Sequence, residues 1–132
     1  MSTGSGHWRV DAASEPGILR LKLAGSLTPA QIAAFVEAHN RAIDEYGQRD
    51  YKVWVDLSEM EQLSPEASAI LEKSKRYSNS RPNFRGSSVL VSKGSVALQH
   101  RHTSIRSGVM NTEVISDDVE VLKEHLRTVY RR

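Results

Sequence analysis

The chain has 132 residues, of which 39% are hydrophobic and 26% charged, and its formal net charge is +2 at pH 7. These values are typical of one globular domain with its own core and exclude a disordered chain. The absence of cysteine excludes disulfides, thiolate metal sites and a cysteine nucleophile. No apolar run approaches the roughly 20 residues of a membrane-spanning helix, and residues 1–6 lack the apolar core of a signal peptide. We therefore expect a cytoplasmic protein without a transmembrane segment.

The chain begins with a small, polar segment, and we expect residues 1–6 to form a disordered tail ahead of one domain over residues 7–132. Apolar and polar residues then alternate over residues 7–13 and again over residues 18–24. The segment between them, residues 15–17, has the sequence Glu-Pro-Gly, which is typical of a turn. This pattern predicts an antiparallel hairpin with one face toward solvent.

A helix and a strand follow the hairpin. Thr28, Pro29 and Gln31 predict a helix start, because threonine and glutamine can form a capping box around a proline in the first turn. Apolar residues recur at helical spacing up to Gly47, which predicts the end of the helix. Residues 51–57 are almost continuously apolar, which predicts a central strand covered on both faces.

The second half of the chain repeats the helix–strand order. Ser64 and Pro65 predict the start of a second helix, residues 88–91 and 112–115 predict short strands, and helices follow Gly94 and Asp117. The residues expected to face the core in these three helices are Ala67, Ile70, Leu71 and Ser74; Leu98, His102, Ile105 and Val109; and Val119, Leu122, Leu126 and Val129. The resulting order, β-β-α-β-α-β-α-β-α, predicts a single α/β domain with a mixed β-sheet and helices packed on the sheet.

Sequence signatures of known chemistry are missing from the chain. It contains no G-x-x-x-x-G-K-[ST] phosphate loop, no G-x-G-x-x-G turn and no G-x-S-x-G elbow. Its five histidines are scattered, and His100 and His102 point in different directions on a helix. We therefore expect no metal site and no cofactor, and we interpret His39 as a histidine at the edge of the core with one hydrogen-bond partner.

Asp56 is a carboxylate at the end of an apolar strand, where loops of parallel sheets commonly hold ligands. Two interpretations remain open from the sequence. Asp56 can act as an acid or a ligand, or it can accept hydrogen bonds from the loop that follows the strand.

Charge is distributed unevenly along the chain. Residues 1–66 have a net charge of −4, residues 67–111 of +7 and residues 112–132 of −1. A basic middle segment can attract an anion such as a nucleotide or a lipid headgroup, or it can be a solvated face. The candidate anion-binding residues are Lys73, Lys75, Arg76, Arg81 and Arg85.

The middle of the chain resembles the STAS (anti-sigma-factor antagonist) family. The segment Val55-Asp56-Leu57-Ser58, followed by an apolar loop and a helix over residues 65–71, is similar to the family's central motif. There, a strand ending in Asp-Leu-Ser leads into a helix that opens with Asp-Ser-Ser-Gly. The strand over residues 19–23 running into Gly25-Ser-Leu resembles the strand and turn before the family's first helix. The resemblance covers about residues 16–130.

The resemblance implies a regulatory switch at the start of the second helix. In the family, a partner kinase that doubles as an anti-sigma factor phosphorylates a serine there. Glu66 stands at that serine's position, with Ser64 and Ala67 at the positions of the family's Asp and Gly. Glutamate cannot accept a phosphate and carries about −1 where phosphoserine carries about −1.5 to −2. The switch is therefore degenerate here, and Ser64 and Ser68 are the candidate phosphorylation sites.

These observations lead to three hypotheses on function. The first is a non-enzymatic, STAS-like regulatory module that binds a partner protein, kinase or anti-sigma-like, through Asp56, Ser58, Ser64, Glu66 and Ser68. The same resemblance extends to bacterial stand-alone STAS-related proteins with undefined partners. The second hypothesis is a binder of a small anion through the basic segment. The third is a hydrolase-like enzyme that pairs Asp56 with His39 or His102.

Trp8 on the first strand lies near a sheet edge that can pair with another chain, which favours a homodimer; alternatively, Trp8 covers the core.

Overall fold

A computed structural model describes residues 5–108 and 112–128. Within these ranges the chain forms five strands and four helices in the predicted order, so the fold prediction is confirmed. The elements are β1 His7–Asp11, β2 Ile18–Ala24, α1 Pro29–Tyr46, β3 Tyr51–Asp56, α2 Pro65–Asn79, β4 Phe84–Leu90, α3 Gly94–Ser107, β5 Glu113–Ser116 and α4 Val119–Thr128.

The five strands form one mixed sheet in the order β1-β2-β3-β4-β5. β1 pairs antiparallel with β2, and every later pair of neighbours is parallel, because a helix connects the two strands of each of those pairs. The carboxyl ends of β2, β3 and β4 therefore meet at one edge of the sheet, where the loop after β3 also begins.

The two faces of the sheet are covered differently. The inner face packs against α1 and α2 through side chains such as Leu21, Val53 and Phe35, which are at most 6% exposed. On the outer face, Ser88 of β4 donates a 2.8 Å hydrogen bond from Oγ to the carbonyl of Leu122 in α4. Trp54 on the outer face of β3 is half-buried. The prediction that β3 is covered on both faces is therefore correct for the inner face and only partly correct for the outer one.

Local capping explains where the first helix begins and ends. The backbone N–H of Gln31 donates to Oγ1 of Thr28 at 3.1 Å, and the N–H of Thr28 donates back to Oε1 of Gln31 at 2.9 Å. This confirms the predicted capping box, and Gly47 ends the helix with a positive φ of 61°. Nε2 of Gln31 also donates to the carbonyl of Gly6 at 3.1 Å.

The N-terminus is tied to this region. The N–H of Gly6 donates to the carbonyl of Ser26 at 2.8 Å, and a Cβ at Gly6 would lie 2.4 Å from the Ala24 carbonyl oxygen. Gly6, the last residue of the expected tail, therefore belongs to the folded part. Residues 1–4 lie outside the described residues.

The predicted core face of α3 is wrong. Leu98 and Ile105 are 55% and 50% exposed, and His102 is exposed as well. The residues that face inward are polar, apart from one valine: Val96, His100, Thr103, Ser104 and Ser107. In α4, Leu122 and Leu126 are buried as predicted, whereas Val119 is exposed. Val109 and Val129 lie outside the described residues.

Trp8 covers the core. Its ring meets Phe35 of α1 edge-on, with 5.9 Å between the ring centroids. The expectation of a homodimer is based on Trp8, and this side chain packs on the core of its own chain.

Candidate functional site

The loop between β3 and α2 alternates buried and exposed side chains. Leu57, Met60 and Leu63 are each at most 5% exposed and anchor the loop in the core. Glu59 and Glu61 lie between these anchors and are exposed. The apolar residues thus hold the loop in place while its acidic residues are presented to solvent.

Hydrogen bonds fix this loop at its middle and near its carboxyl end. The N–H of Gly25 donates to the carbonyl of Glu59 at 2.8 Å, and the N–H of Glu61 donates to the carbonyl of Gly25 at 3.0 Å. The side-chain amide of Gln99 accepts from the N–H of Leu63 and donates to its carbonyl, both at 2.8 Å. A loop with its backbone groups bonded in this way is preorganised.

The start of α2 continues this exposed surface. The N–H of Ala67 donates to Oγ of Ser64 at 3.1 Å, so Ser64 is the N-cap that the sequence predicts. Glu66 is exposed in the first turn, where the positive end of the helix dipole stabilises a carboxylate. Among the described residues, Glu66 forms no ion pair. We call residues 58–66 the β3–α2 surface.

Capping gives Ser64 a structural role that can be measured. We expect Ser64→Ala to lower the free energy of unfolding by about 1 kcal/mol, since the N–H of Ala67 loses its acceptor. Ser64→Asp should retain most of the stability, because aspartate caps equally well. Urea unfolding of the three proteins checks this. An alanine variant as stable as the parent would contradict the capping role.

Asp56 and Ser58 are bonded to each other. Oδ1 of Asp56 accepts from the N–H of Ser58 at 2.9 Å and from its Oγ at 2.6 Å. Of the two open interpretations, the structure supports the strand-end acceptor. Asp56 lies on the outer face of the sheet beside Lys22, whereas His39 lines a cavity under the inner face. His102 is exposed on α3. The structure does not bring the proposed acid–base pairs together.

Ser68 does not belong to the exposed surface. It is 6% exposed, and its Oγ lies 3.4 Å from Oγ1 of Thr103 on α3. Helix periodicity explains this correction, because Ser68 lies one residue from Ala67 and one turn from Leu71, both of which face the core. In the folded protein, Ser68 is therefore inaccessible to a kinase.

The predicted basic segment does not form one cationic surface. Lys75 is 9% exposed and points into the protein, so its assignment to an exposed basic face is corrected. Nε of Arg76 donates to Glu72 at 2.9 Å, and an ion pair of 3.1 Å joins Arg85 to Asp50. Of the two other candidate anion-binding residues, Arg81 pairs with Asp44 and Lys73 is exposed.

A buried ion pair lies where α2, α3, β4 and β5 meet. Nζ of Lys75 lies 2.8 Å from Oε2 of Glu113 and donates to Oγ of Ser104 at 2.7 Å. Ser87 and Ser104 both donate to the Glu113 carboxylate. The side chains of Lys75 and Glu113 are only 10% and 4% exposed. Sequence reasoning missed this cluster, because Ser104 and Glu113 lie 29 and 38 residues from Lys75 along the chain.

Two buried histidines flank the ion pair. His100 is 5% exposed, and its Nε2 lies 3.7 Å from Oε2 of Glu113. His39 is 3% exposed, and its Nδ1 lies 2.9 Å from Oδ1 of Asn40, which agrees with the predicted single hydrogen-bond partner. Together with Lys75 and Glu113, both histidines line a cavity of about 40 Å³. Since a single water needs about 10–15 Å³, this cavity is too small for a substrate of several heavy atoms.

Burial sets the charge state of this cluster. Burial lowers the pKa of His39 to about 4, with Asn40 opposing the shift and Lys75 adding to it. Burial and the Lys75 ammonium likewise lower the pKa of His100. Burial alone would raise the pKa of Glu113, but Lys75 and His100 lower it well below its usual range. Burial also lowers the pKa of Lys75, and the Glu113 carboxylate opposes this shift, so Lys75 and Glu113 stabilise each other's charged form between two neutral histidines.

In residues 5–108 and 112–128, no three His, Asp or Glu side chains come together as a group able to hold a metal ion. None of the helices in this part of the chain combines the length and apolarity that a membrane span requires.

The molecule is an α/β domain in which the connection between β3 and α2 is exposed and acidic. The same architecture is found among solved structures. The chain is similar to an uncharacterised DUF3478-family protein with a SpoIIAA-like fold from Shewanella loihica PV-4, with a TM-score of 0.64 and 12% identity, over 94% of this chain and 95% of that one. It is also similar to an anti-sigma factor antagonist from Mycobacterium paratuberculosis, with a TM-score of 0.61 and 17% identity, over 96% and 95% of the two chains.

The chain therefore has a SpoIIAA-like fold, which is the fold that its resemblance to the STAS family predicts. No protein-family model matches the chain, and no curated protein sequence matches it.

Proposed function

We propose that this chain is a non-enzymatic regulatory module that binds a partner protein through the β3–α2 surface. The observation that carries the proposal is the exposed Glu66 carboxylate at the amino end of α2, next to a loop that the core holds rigid. A solved anti-sigma factor antagonist shares the fold, which supports a kinase or anti-sigma-like protein as the partner.

The charge of the β3–α2 surface indicates what the partner presents. Glu59, Glu61 and Glu66 are all exposed there. Glu59 and Glu61 pair with Lys22 and Lys93, but these ion pairs are exposed and contribute little to stability. Arginine or lysine side chains of a partner can therefore take the place of Lys22 and Lys93 in these ion pairs. Glu66 takes the place that the phosphorylated serine has in the STAS motif, and it supplies a permanent negative charge there.

The phospho-switch is reduced to one candidate residue in this proposal. Ser64 is exposed and lies at the helix start, so a kinase can reach it. Phosphorylation there would place a second negative charge close to Glu66 and next to the positive helix end. In this proposal, phosphorylation of Ser64 regulates binding of the partner, whereas the permanent charge of Glu66 contributes to binding at all times.

Reversing the charge at Glu66 tests the proposal. We expect Glu66→Lys to weaken binding of the partner at least tenfold, because the substitution puts a cation opposite the partner's cations. Partners captured by the parent protein from an extract of the source organism are identified, purified and titrated against each variant by calorimetry.

Glu120→Lys is the matched control for this experiment. Glu120 is an exposed glutamate in the first turn of α4. Reversing its charge removes the same kind of favourable interaction with a helix dipole, but at a different place on the surface. The control should bind like the parent. Equal affinities for the parent and Glu66→Lys would show that the proposed surface is wrong.

A further inference from the structure

The outer face of the sheet contains a groove that plays no part in the proposed partner surface. α4 packs across β4 through Leu122, and it borders the outer face of β2 and β3 without filling it. The space between these strands and α4 is a groove of about 280 Å³. This is close to the roughly 300 Å³ at which small-molecule pockets begin.

The floor and one wall of this groove are apolar. Ile18 of β2, Trp54 of β3 and Leu126 of α4 line it. Trp54 is only half-buried, so part of its indole ring faces the groove. A flat, partly exposed indole stacks well on a planar aromatic ring, and the aliphatic side chains beside it favour an apolar body.

The rim of the groove is strongly basic. Four basic side chains line it, against one carboxylate, that of Glu15; the basic residues are Arg20, Lys52, Lys123 and Arg127. None of these four belongs to the basic segment that the sequence singles out. The sheet register and the last helix bring together cations that are far apart along the chain, which raises the local attraction for an anion.

The ion pairs at this rim are exposed. Arg20 pairs with Glu15, Lys123 with Glu120 and Arg127 with Glu124, and the side chains in these pairs are 44–80% exposed. Exposed pairs contribute little to stability, so an incoming anion can replace the carboxylate. The guanidinium of Arg20 lies over the Trp54 ring, 5.8 Å from its centre, so an anion bound to Arg20 lies next to the indole.

Of these four cations, Lys52 is held in a fixed position. Its side chain is buried, and Nζ donates to the carbonyl of Leu126 in the last turn of α4. Water screens a buried charge less than an exposed one, so its attraction for a nearby anion is stronger. The groove therefore combines a preorganised positive charge with an aromatic wall.

We propose that this groove binds a small organic anion that carries a planar aromatic ring. The ring lies against Trp54, and the anionic group lies among Arg20, Lys123 and Arg127. This site is separate from the β3–α2 surface, so it does not depend on the proposed partner and can be tested without one.

Naphthalene-2-sulfonate is a suitable probe, because it has a flat ring and one fixed negative charge. Its binding to the full chain is followed through the two indole N–H signals in nitrogen-15 NMR spectra. The chain has only two tryptophans, and Trp8 packs on Phe35 at the inner face, so its signal is an internal control. We expect a saturable shift of the Trp54 signal and little change at Trp8. Naphthalene-2-methanol lacks the charge and methanesulfonate lacks the ring, and each should bind at least tenfold more weakly.

Charge-removing variants locate the site. Arg20→Gln combined with Lys123→Gln should weaken binding of the probe at least tenfold, and raising salt from about 50 to about 500 mM should weaken it in the parent. Lys73→Gln removes an exposed lysine of α2 outside the groove and should leave the affinity unchanged.

Three outcomes would overturn the proposal. The first is no saturable shift of the Trp54 signal. The second is comparable shifts at both tryptophans, which would indicate non-specific binding. The third is an affinity that Arg20→Gln with Lys123→Gln does not change.

Discussion

Lys75→Met is expected to lower the free energy of unfolding by about 3–5 kcal/mol, because the substitution leaves a buried carboxylate behind. Glu113 is 4% exposed in its side chain and loses the ammonium 2.8 Å away. An unpaired charge in such a place keeps its full desolvation cost, although Ser87 and Ser104 still donate to it. A loss of this size is a large fraction of the stability of an ordinary domain.

Urea unfolding of the parent and four variants measures this effect. Glu113→Gln should also be destabilising, because it leaves the Lys75 ammonium buried. The double variant Lys75→Met with Glu113→Gln should recover much of the loss, since neither charge then remains. Lys73→Met is the matched control on the same helix, and its exposed side chain predicts a change below about 0.5 kcal/mol. A loss below about 1 kcal/mol for Lys75→Met would refute the buried ion pair.

The free energy of unfolding should fall by about 2 kcal/mol between pH 7 and pH 5 through His39 alone. In the unfolded chain His39 takes up a proton below about pH 6.5, whereas in the folded protein its pKa is about 4. The folded state thus binds fewer protons in this window, and its stability is lost as the pH falls, by at most about 1.4 kcal/mol per pH unit. His100 shifts in the same direction and adds to the loss. The contribution of Glu113 is lost only at lower pH, because its unfolded pKa is near 4.5.

Histidine variants separate this effect from general acid lability. Stability is measured by urea unfolding at pH 5, 6 and 7. His39→Gln should reduce the dependence on pH by about 1 kcal/mol per unit between pH 6 and pH 5. His102→Gln removes an exposed histidine of α3 and is the surface control for the substitution itself. If the parent and His39→Gln show the same dependence on pH, the interpretation of His39 as a neutral, buried histidine is wrong.

Local sequence signals predicted the order of elements well, because each depends on neighbours along the chain. The caps at Thr28 and Ser64 form the predicted hydrogen bonds, since an N-cap needs only a residue three positions away. The alternating pattern of β2 correctly places Leu19, Leu21 and Leu23 on the buried face. The strand-end role of Asp56 also follows from a residue two positions away.

Periodicity failed where polar residues are buried. In α3 the apolar residues Leu98 and Ile105 share a stripe, but this stripe faces solvent. The inward face instead carries His100 and Ser104, because these side chains meet Lys75 and Glu113 from other elements. A hydrophobic pattern counts apolar side chains and has no information about distant polar partners. For the same reason the sequence pattern placed Lys75 on the surface and did not reveal the groove beside Trp54, whose cations come from β2, β3 and α4.

The double hydrogen bond between Gln99 and Leu63 bears on how the proposed partner surface can change. One amide side chain supplies both an acceptor and a donor to the loop backbone, so the course of the loop does not depend on its outward-pointing side chains. Replacements at Glu59, Glu61 or Gln62 therefore alter what is displayed while the scaffold keeps its shape. For the proposed partner surface, this means that selectivity can change without a change of fold, because Gln99 holds the loop backbone in place.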